Sequence, residues 1–84
     1  MTVQEFAKNR PGLFWSTRDY ASLSPEAVVE AVLNYGNWED VQKLFEILTL
    51  KKTAEIFYRQ TTRLRTNYDP KISHYFNLYF KKYA

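Results

Sequence analysis

Residues 24–48 read SPEAVVEAVLNYGNWEDVQKLFEIL, and this stretch spells two helices joined at a corner. Ser24 offers a capping oxygen, Pro25 suits the first helical position, where its missing amide costs nothing, and Glu26 lies at the positive end of the dipole. Val28, Val29, Val32 and Leu33 form one apolar stripe up to Tyr35, and Gly36 is expected to stop the helix in the left-handed conformation. Asn37 then caps a second helix whose first turn holds Glu39 and Asp40, again matching the dipole. Val41, Leu44, Phe45 and Leu48 recur at i, i+3, i+4 and i+7, so all four share a face. A hinge this short forces sharp, corner-like packing.

Upstream, Thr2 and Glu5 have capping-box spacing, which predicts a short helix of about two turns before Pro11-Gly12, carrying Val3 and Phe6 inward. Leu13-Phe14-Trp15 lies outside any helical period and is expected to be a buried plug, followed by a polar loop through Ser16, Thr17, Asp19 and Ser22. Downstream, after Thr49-Leu50, a third long segment from Lys51 to about Arg65 places Leu50, Ala54, Phe57 and Leu64 on one side. Lys52, Arg59 and Arg63 fall on another side, making this the basic helix. Asn67-Tyr68 breaks it, and Asp69-Pro70 repeats the cap-plus-proline signal at the start of a last helix reaching about Tyr83. Its Ile72, Tyr75, Phe76, Leu78, Tyr79 and Phe80 cover more than half its circumference. One face can enter the core, so the rest must pack on a partner or sit under the N-terminal loop. The expectation is all-α: a compact bundle of four to five short helices forming a single helical domain over residues 1–84.

The chain is 84 residues long and contains no cysteine, so disulfide frameworks and thiolate metal sites are excluded and a reducing, cytoplasmic setting is expected. No apolar run approaches the roughly 18 residues of a membrane span, and no secretory h-region stands near Met1. Aromatic residues make up 18% of the sequence, a proportion that supplies large buried areas but exceeds what so small a core can hide. Charge is unevenly placed. Residues 1–48 carry a net −3, whereas residues 49–84 carry +6 from eight basic and two acidic groups, which points to an acidic partner for the C-terminal half.

Catalysis has little support. The single His74 has no Ser, Cys or metal-ligand spacing tied to it, two glycines cannot make a phosphate-cradling loop, and Glu39 and Asp40 are adjacent and diverge on a helix. His74 reads as a partly exposed helix residue. No catalytic residue, metal ligand or cofactor is expected, and binding is the remaining class of function. Lys51, Lys52, Arg59 and Arg63 form a candidate nucleic-acid surface, with residues 37–48 as positioning helix, Thr49-Leu50 as turn and residues 51–65 as recognition helix. Two lysines and a threonine at that turn suit phosphates better than bases, and a Glu55–Arg59 pair at i, i+4 accounts for part of the charge. The competing candidate is a protein-binding surface in which Arg59, Arg63 and Arg65 meet acidic groups and Tyr75, Tyr79 and Tyr83 supply anchors.

Leu13-Phe14-Trp15, the stretch Leu33-Asn34-Tyr35-Gly36-Asn37-Trp38-Glu39-Asp40 and the aromatic run at residues 75–80 resemble a small bacterial all-helical domain family, over about residues 11–82. Members of that family often stand beside nucleotidyltransferase-type toxins of the abortive-infection class. The resemblance implies an antitoxin-like protein that binds and regulates such a toxin, and it carries over no catalytic residues. The alternative is a helix-turn-helix-like DNA-binding regulator.

Overall fold

The computed structural model describes residues 2–14, 19–62 and 66–84. Among them are five α-helices and no strand: α1 (Val3–Lys8), α2 (Pro25–Tyr35), α3 (Trp38–Leu48), α4 (Leu50–Thr61) and α5 (Pro70–Tyr83), with a 3-10 turn at Tyr20–Ser22. The expected all-α bundle is what forms.

Each of these helices begins at a side chain that takes up an otherwise orphaned backbone amide. Thr2 accepts from Glu5 N at 3.1 Å, Ser24 from Ala27 N at 3.1 Å, Thr49 from Lys52 N at 3.2 Å and Asp69 from Lys71 N at 2.9 Å. Asn37 and Asp40 form a complete capping box: Asp40 N donates to Asn37 Oδ1 at 2.8 Å, and Asn37 N donates to Asp40 Oδ2 at 3.1 Å. At Thr2 the box is incomplete. Its hydroxyl donates to Glu5 Oε1 at 3.3 Å, so the carboxylate engages the cap's side chain in place of its backbone.

The corner between α2 and α3 departs from expectation. Gly36 is extended, with φ −75°, and not left-handed. Glycine is required there by close approach, since a Cβ would lie 2.7 Å from Val32 O and 3.1 Å from Asp40 Cβ. Gly36→Ala is therefore expected to cost about 1–3 kcal/mol through overpacking, read as a lower urea midpoint with unchanged slope.

The left-handed side of conformational space is occupied instead by Thr49, with φ 72° and ψ 153°, the single residue between α3 and α4. A β-branched residue in this region stores strain of about 1–3 kcal/mol. Its bonds hold it there: Oγ1 caps α4, and its carbonyl accepts from both Thr53 N at 3.1 Å and Thr53 Oγ1 at 2.8 Å. Thr49→Gly relieves the strain and loses little as a cap, whereas Thr49→Ala keeps the strain and loses the cap. Thr49→Gly should thus be the more stable by about 1–2 kcal/mol in thermal or urea unfolding.

α4 lies at the centre, in contact with α2, α3 and α5. It buries Thr53, Ala54, Ile56, Phe57 and Gln60, against Val28, Val29, Val32 and Leu33 of α2, Val41 and Leu44 of α3, and Phe76 and Phe80 of α5. Phe14 is buried and Leu13 is half-buried against the core, as the expected plug requires; Trp15, Ser16 and Thr17 lie outside the described residues. α1 buries Val3, Phe6 and Ala7, and Arg10 fastens it down. The Arg10 guanidinium stands 4.0 Å above the Phe6 ring, and its Nε donates to Asp40 Oδ1 at 2.7 Å, linking the end of α1 to the start of α3.

The basic helix is shorter than expected. α4 ends at Thr61, where two successive threonine hydroxyls turn back on its last carbonyls, Thr61 Oγ1 to Tyr58 O at 3.3 Å and Thr62 Oγ1 to Arg59 O at 3.0 Å. Arg63, Leu64 and Arg65 lie outside the described residues. Asn67-Tyr68, expected only to break the helix, places Tyr68 in the core. Its hydroxyl donates to Gln60 Oε1 at 2.5 Å, and Gln60 Nε2 donates to the Glu26 carbonyl at 2.8 Å. Asn34 completes this attachment by accepting from Asp69 N at 3.2 Å and donating to Asn67 O at 3.2 Å.

Candidate functional site

α5 carries more rings than one interface with the core can absorb. Phe76 and Phe80, one turn apart, are buried on α4, with Phe57 5.3 Å from Phe80 and 6.3 Å from Phe76 between ring centroids. The next row around the helix, Tyr75, Tyr79 and Tyr83, is turned toward α3 and outward. Tyr79 forms the joint: it meets the edge of Trp38 at 5.6 Å, stacks on Phe45 at 5.8 Å, and continues to Tyr75 at 6.3 Å and Tyr83 at 4.7 Å. A continuous aromatic seam thus runs from the first turn of α3 to the last turn of α5.

The seam is open to solvent. Trp38 is 43% exposed, Tyr75 51%, Leu78 55% and Tyr83 56%, so apolar side chains stand half-uncovered side by side. Burial, reinforced by neighbouring Tyr83 and Tyr75, raises the Tyr79 phenol above its ordinary pKa. Its hydroxyl is neutral at physiological pH. Lys82 leans over Tyr83 at 5.4 Å, and Lys71 and Lys81 are exposed on the same helix.

Three residues expected at a protein-binding surface, Tyr75, Tyr79 and Tyr83, are therefore brought together in one row. Arg59 is not joined to them. It is exposed on α4 and reaches Glu26 of α2 at 3.9 Å, in place of the anticipated i, i+4 pair with Glu55. Both groups of that pair are solvent-exposed, so it contributes little to stability. Arg63 and Arg65 fall outside the described residues. Lys51 and Lys52, the nucleic-acid candidates, are exposed in the first turn of α4, and Glu55 follows them on the exposed side before Arg59.

Trp38, Phe45 and Leu78 belong to the surface but were not among the sequence candidates. Trp38 carried a signal: an indole at the first helical position beside two carboxylates has no obvious core assignment. Leu78 carried another, since Lys71, Tyr75, Leu78 and Lys82 recur at i, i+4, i+7 and i+11, the spacing of a single stripe.

Elsewhere the surface offers less. An open depression of about 510 Å³ is lined by Asn34, Tyr68, Asp69 and Ile72, with the exposed Tyr35 at its rim. The Asn34 side chain there is already engaged with the backbone of residues 67 and 69. His74 is exposed. Among the described residues no three His, Asp or Glu side chains gather as metal ligands, and no helix is long and apolar enough to cross a membrane. Comparison of the chain with family models, with curated proteins and with solved structures finds no match.

Proposed function

We propose that this chain is a non-catalytic binding protein that docks a protein partner on the aromatic seam formed by Trp38, Tyr75, Leu78, Tyr79 and Tyr83. The observation that carries this is the contiguous exposure of rings already described. Side chains of this size span about 150–250 Å², so four half-exposed ones present on the order of 400 Å² of apolar surface. That is within the range of the largest patch on a typical monomer, about 300–600 Å², which is often functional. Tyr and Trp are also the types enriched at binding hot spots. The sequence resemblance supplies the kind of partner: a nucleotidyltransferase-type toxin, with this chain acting as its antitoxin.

The test is capture from the native host at moderate salt, with nuclease treatment, using wild type and the Tyr75→Ser/Leu78→Ser double variant. Both residues are exposed, so the variant should fold normally by circular dichroism. A stoichiometric protein retained by wild type and reduced at least thirtyfold by the variant is expected, the loss for two interface side chains that together contribute about 2 kcal/mol or more. Arg59→Glu should leave the complex intact. Equal capture by the double variant would remove the seam from consideration, and a partner of another class would remove the toxin assignment while sparing the seam.

A DNA-binding regulator built on α4 has one observation in its favour, the exposed Lys51 and Lys52 in a first turn that holds no acidic residue. Against it, α4 is the central helix of the bundle, and the exposed side bearing Lys52 and Arg59 also bears Glu55. The two functions separate by salt: phosphate binding through several basic groups falls steeply between 50 and 200 mM salt, by orders of magnitude, whereas docking through an aromatic core persists.

A further inference from the structure

The geometry points to an acidic amphipathic helix of the partner as the element that occupies the seam, an inference that rests on the protein-binding function proposed above. Lys71, Tyr75, Leu78 and Lys82 are all exposed and fall on one stripe of α5. Its centre is apolar and both its ends are cationic. From Lys71 to Lys82 is eleven residues, about 16 Å along a helix. Between Pro70 and Tyr83 there is no Asp or Glu, and neither Lys71, Lys81 nor Lys82 is in an ion pair among the described residues. Lys82 lies over the Tyr83 ring, and the Asp69 carboxylate beside Lys71 is engaged as the cap of α5 by the Lys71 backbone amide. A second helix laid along the stripe places its own apolar residues on Tyr75 and Leu78 and meets the lysines about three turns apart, where carboxylates complete the charge.

A second copy of this chain fits poorly in that place. Pairing two α5 helices antiparallel about a two-fold axis sets Lys71 of each against Lys82 of the other; pairing them parallel sets Lys71 against Lys71 and Lys82 against Lys82. Like charges face each other in both arrangements, at a cost that discriminates against self-association. The apolar area of the whole seam, on the order of 400 Å² with Trp38 and Tyr83 included, suits one helix with a polar rim.

The probe is a display library of helix-favouring 18-residue peptides selected on the full chain, the enriched peptides then being assayed on the Tyr75→Ser/Leu78→Ser variant. Enriched peptides should carry Asp or Glu on both sides of an apolar i, i+3/i+4, i+7 stripe. Resynthesised with a fluorescent label, such a peptide should lose at least tenfold in affinity, by anisotropy, to Lys71→Glu/Lys82→Glu. A peptide with its acids changed to lysine should regain binding to that variant. Peptides that depend on Tyr75 and Leu78 but show no acidic preference overturn the acidic helix and leave the seam as a protein-binding face. Peptides that bind the double serine variant equally well overturn both. A library yielding no binder overturns the helix alone, because capture of the native partner decides the seam separately.

Discussion

Phe57→Ala is expected to destabilise the protein by about 3–5 kcal/mol, the range for deleting a fully buried aromatic side chain. Phe57 is 0% exposed, and its ring lies within 5.2 to 6.3 Å of the rings of Tyr58, Tyr68, Phe76 and Phe80. It is the point at which α4, α5 and the segment before α5 converge. A domain of this size has a total stability of about 5–15 kcal/mol, so the variant should be largely unfolded in mild denaturant or well below the wild-type melting temperature. Phe57→Leu, which keeps much of the volume, should cost far less. If both variants melt within about 1 kcal/mol of wild type, the docking of α5 on α4 is wrong.

Tyr68→Phe should act in two ways, separated by pH. At neutral pH it removes the donor from Gln60 Oε1 in a buried setting, at a cost of about 1–3 kcal/mol. In alkali it should protect. Burial first, and the nearby Glu30 charge second, push the Tyr68 phenol well above its ordinary value. A phenol raised in this way binds its proton more tightly folded than unfolded. Its stabilisation is complete below the unfolded pKa of about 10 and is lost as pH rises from there toward the folded value, by about 1.4 kcal/mol per pH unit. Wild type should therefore lose stability more steeply than Tyr68→Phe between pH 10 and 11.5, and urea midpoints at pH 7, 10 and 11.5 measure both effects. Parallel decline of the two proteins would show that Tyr68 is not held neutral by its surroundings.

The elements that could be read from sequence are those set by neighbours within a few residues. The caps Thr2, Ser24, Asn37 and Asp69, the valine stripe of α2 and the face of Val41 and Leu44 on α3 follow from spacing alone, and they are where the helices form; the cap at Thr49, read only as a turn, was not legible. What could not be read depends on closure across the chain. Gln60 is polar and Asn67-Tyr68 has the composition of a breaker, yet both Gln60 and Tyr68 are buried because Glu26 offers a carbonyl 34 residues before Gln60. Gly36 reads as a left-handed stop; only the approach of Val32 O and Asp40 shows that it is needed for space. On α5 the ambiguity was greatest, since aromatic and aliphatic residues together surround more than half the helix. Position alone does not choose among Tyr75, Phe76, Tyr79 and Phe80. The choice is made by α4, which takes Phe76 and Phe80, and by Trp38 and Phe45 of α3, which take one side of Tyr79. The reach of Arg59 to Glu26 of α2 was hidden for a similar reason: charge along the sequence does not reveal which neighbouring helix a long side chain meets.

Only Gly36, Asn37 and Thr49 interrupt the helices between Pro25 and Thr61. An inserted or deleted residue in a helix shifts everything beyond it by about 100° and 1.5 Å, and corners of one or two residues have no slack to absorb the error. At Thr49 such a change would swing α4, and α5 with it, out of register with Trp38 and Phe45. The stretch can therefore drift in residue type but not in length: across these two corners, the count of residues is itself what keeps the aromatic seam continuous.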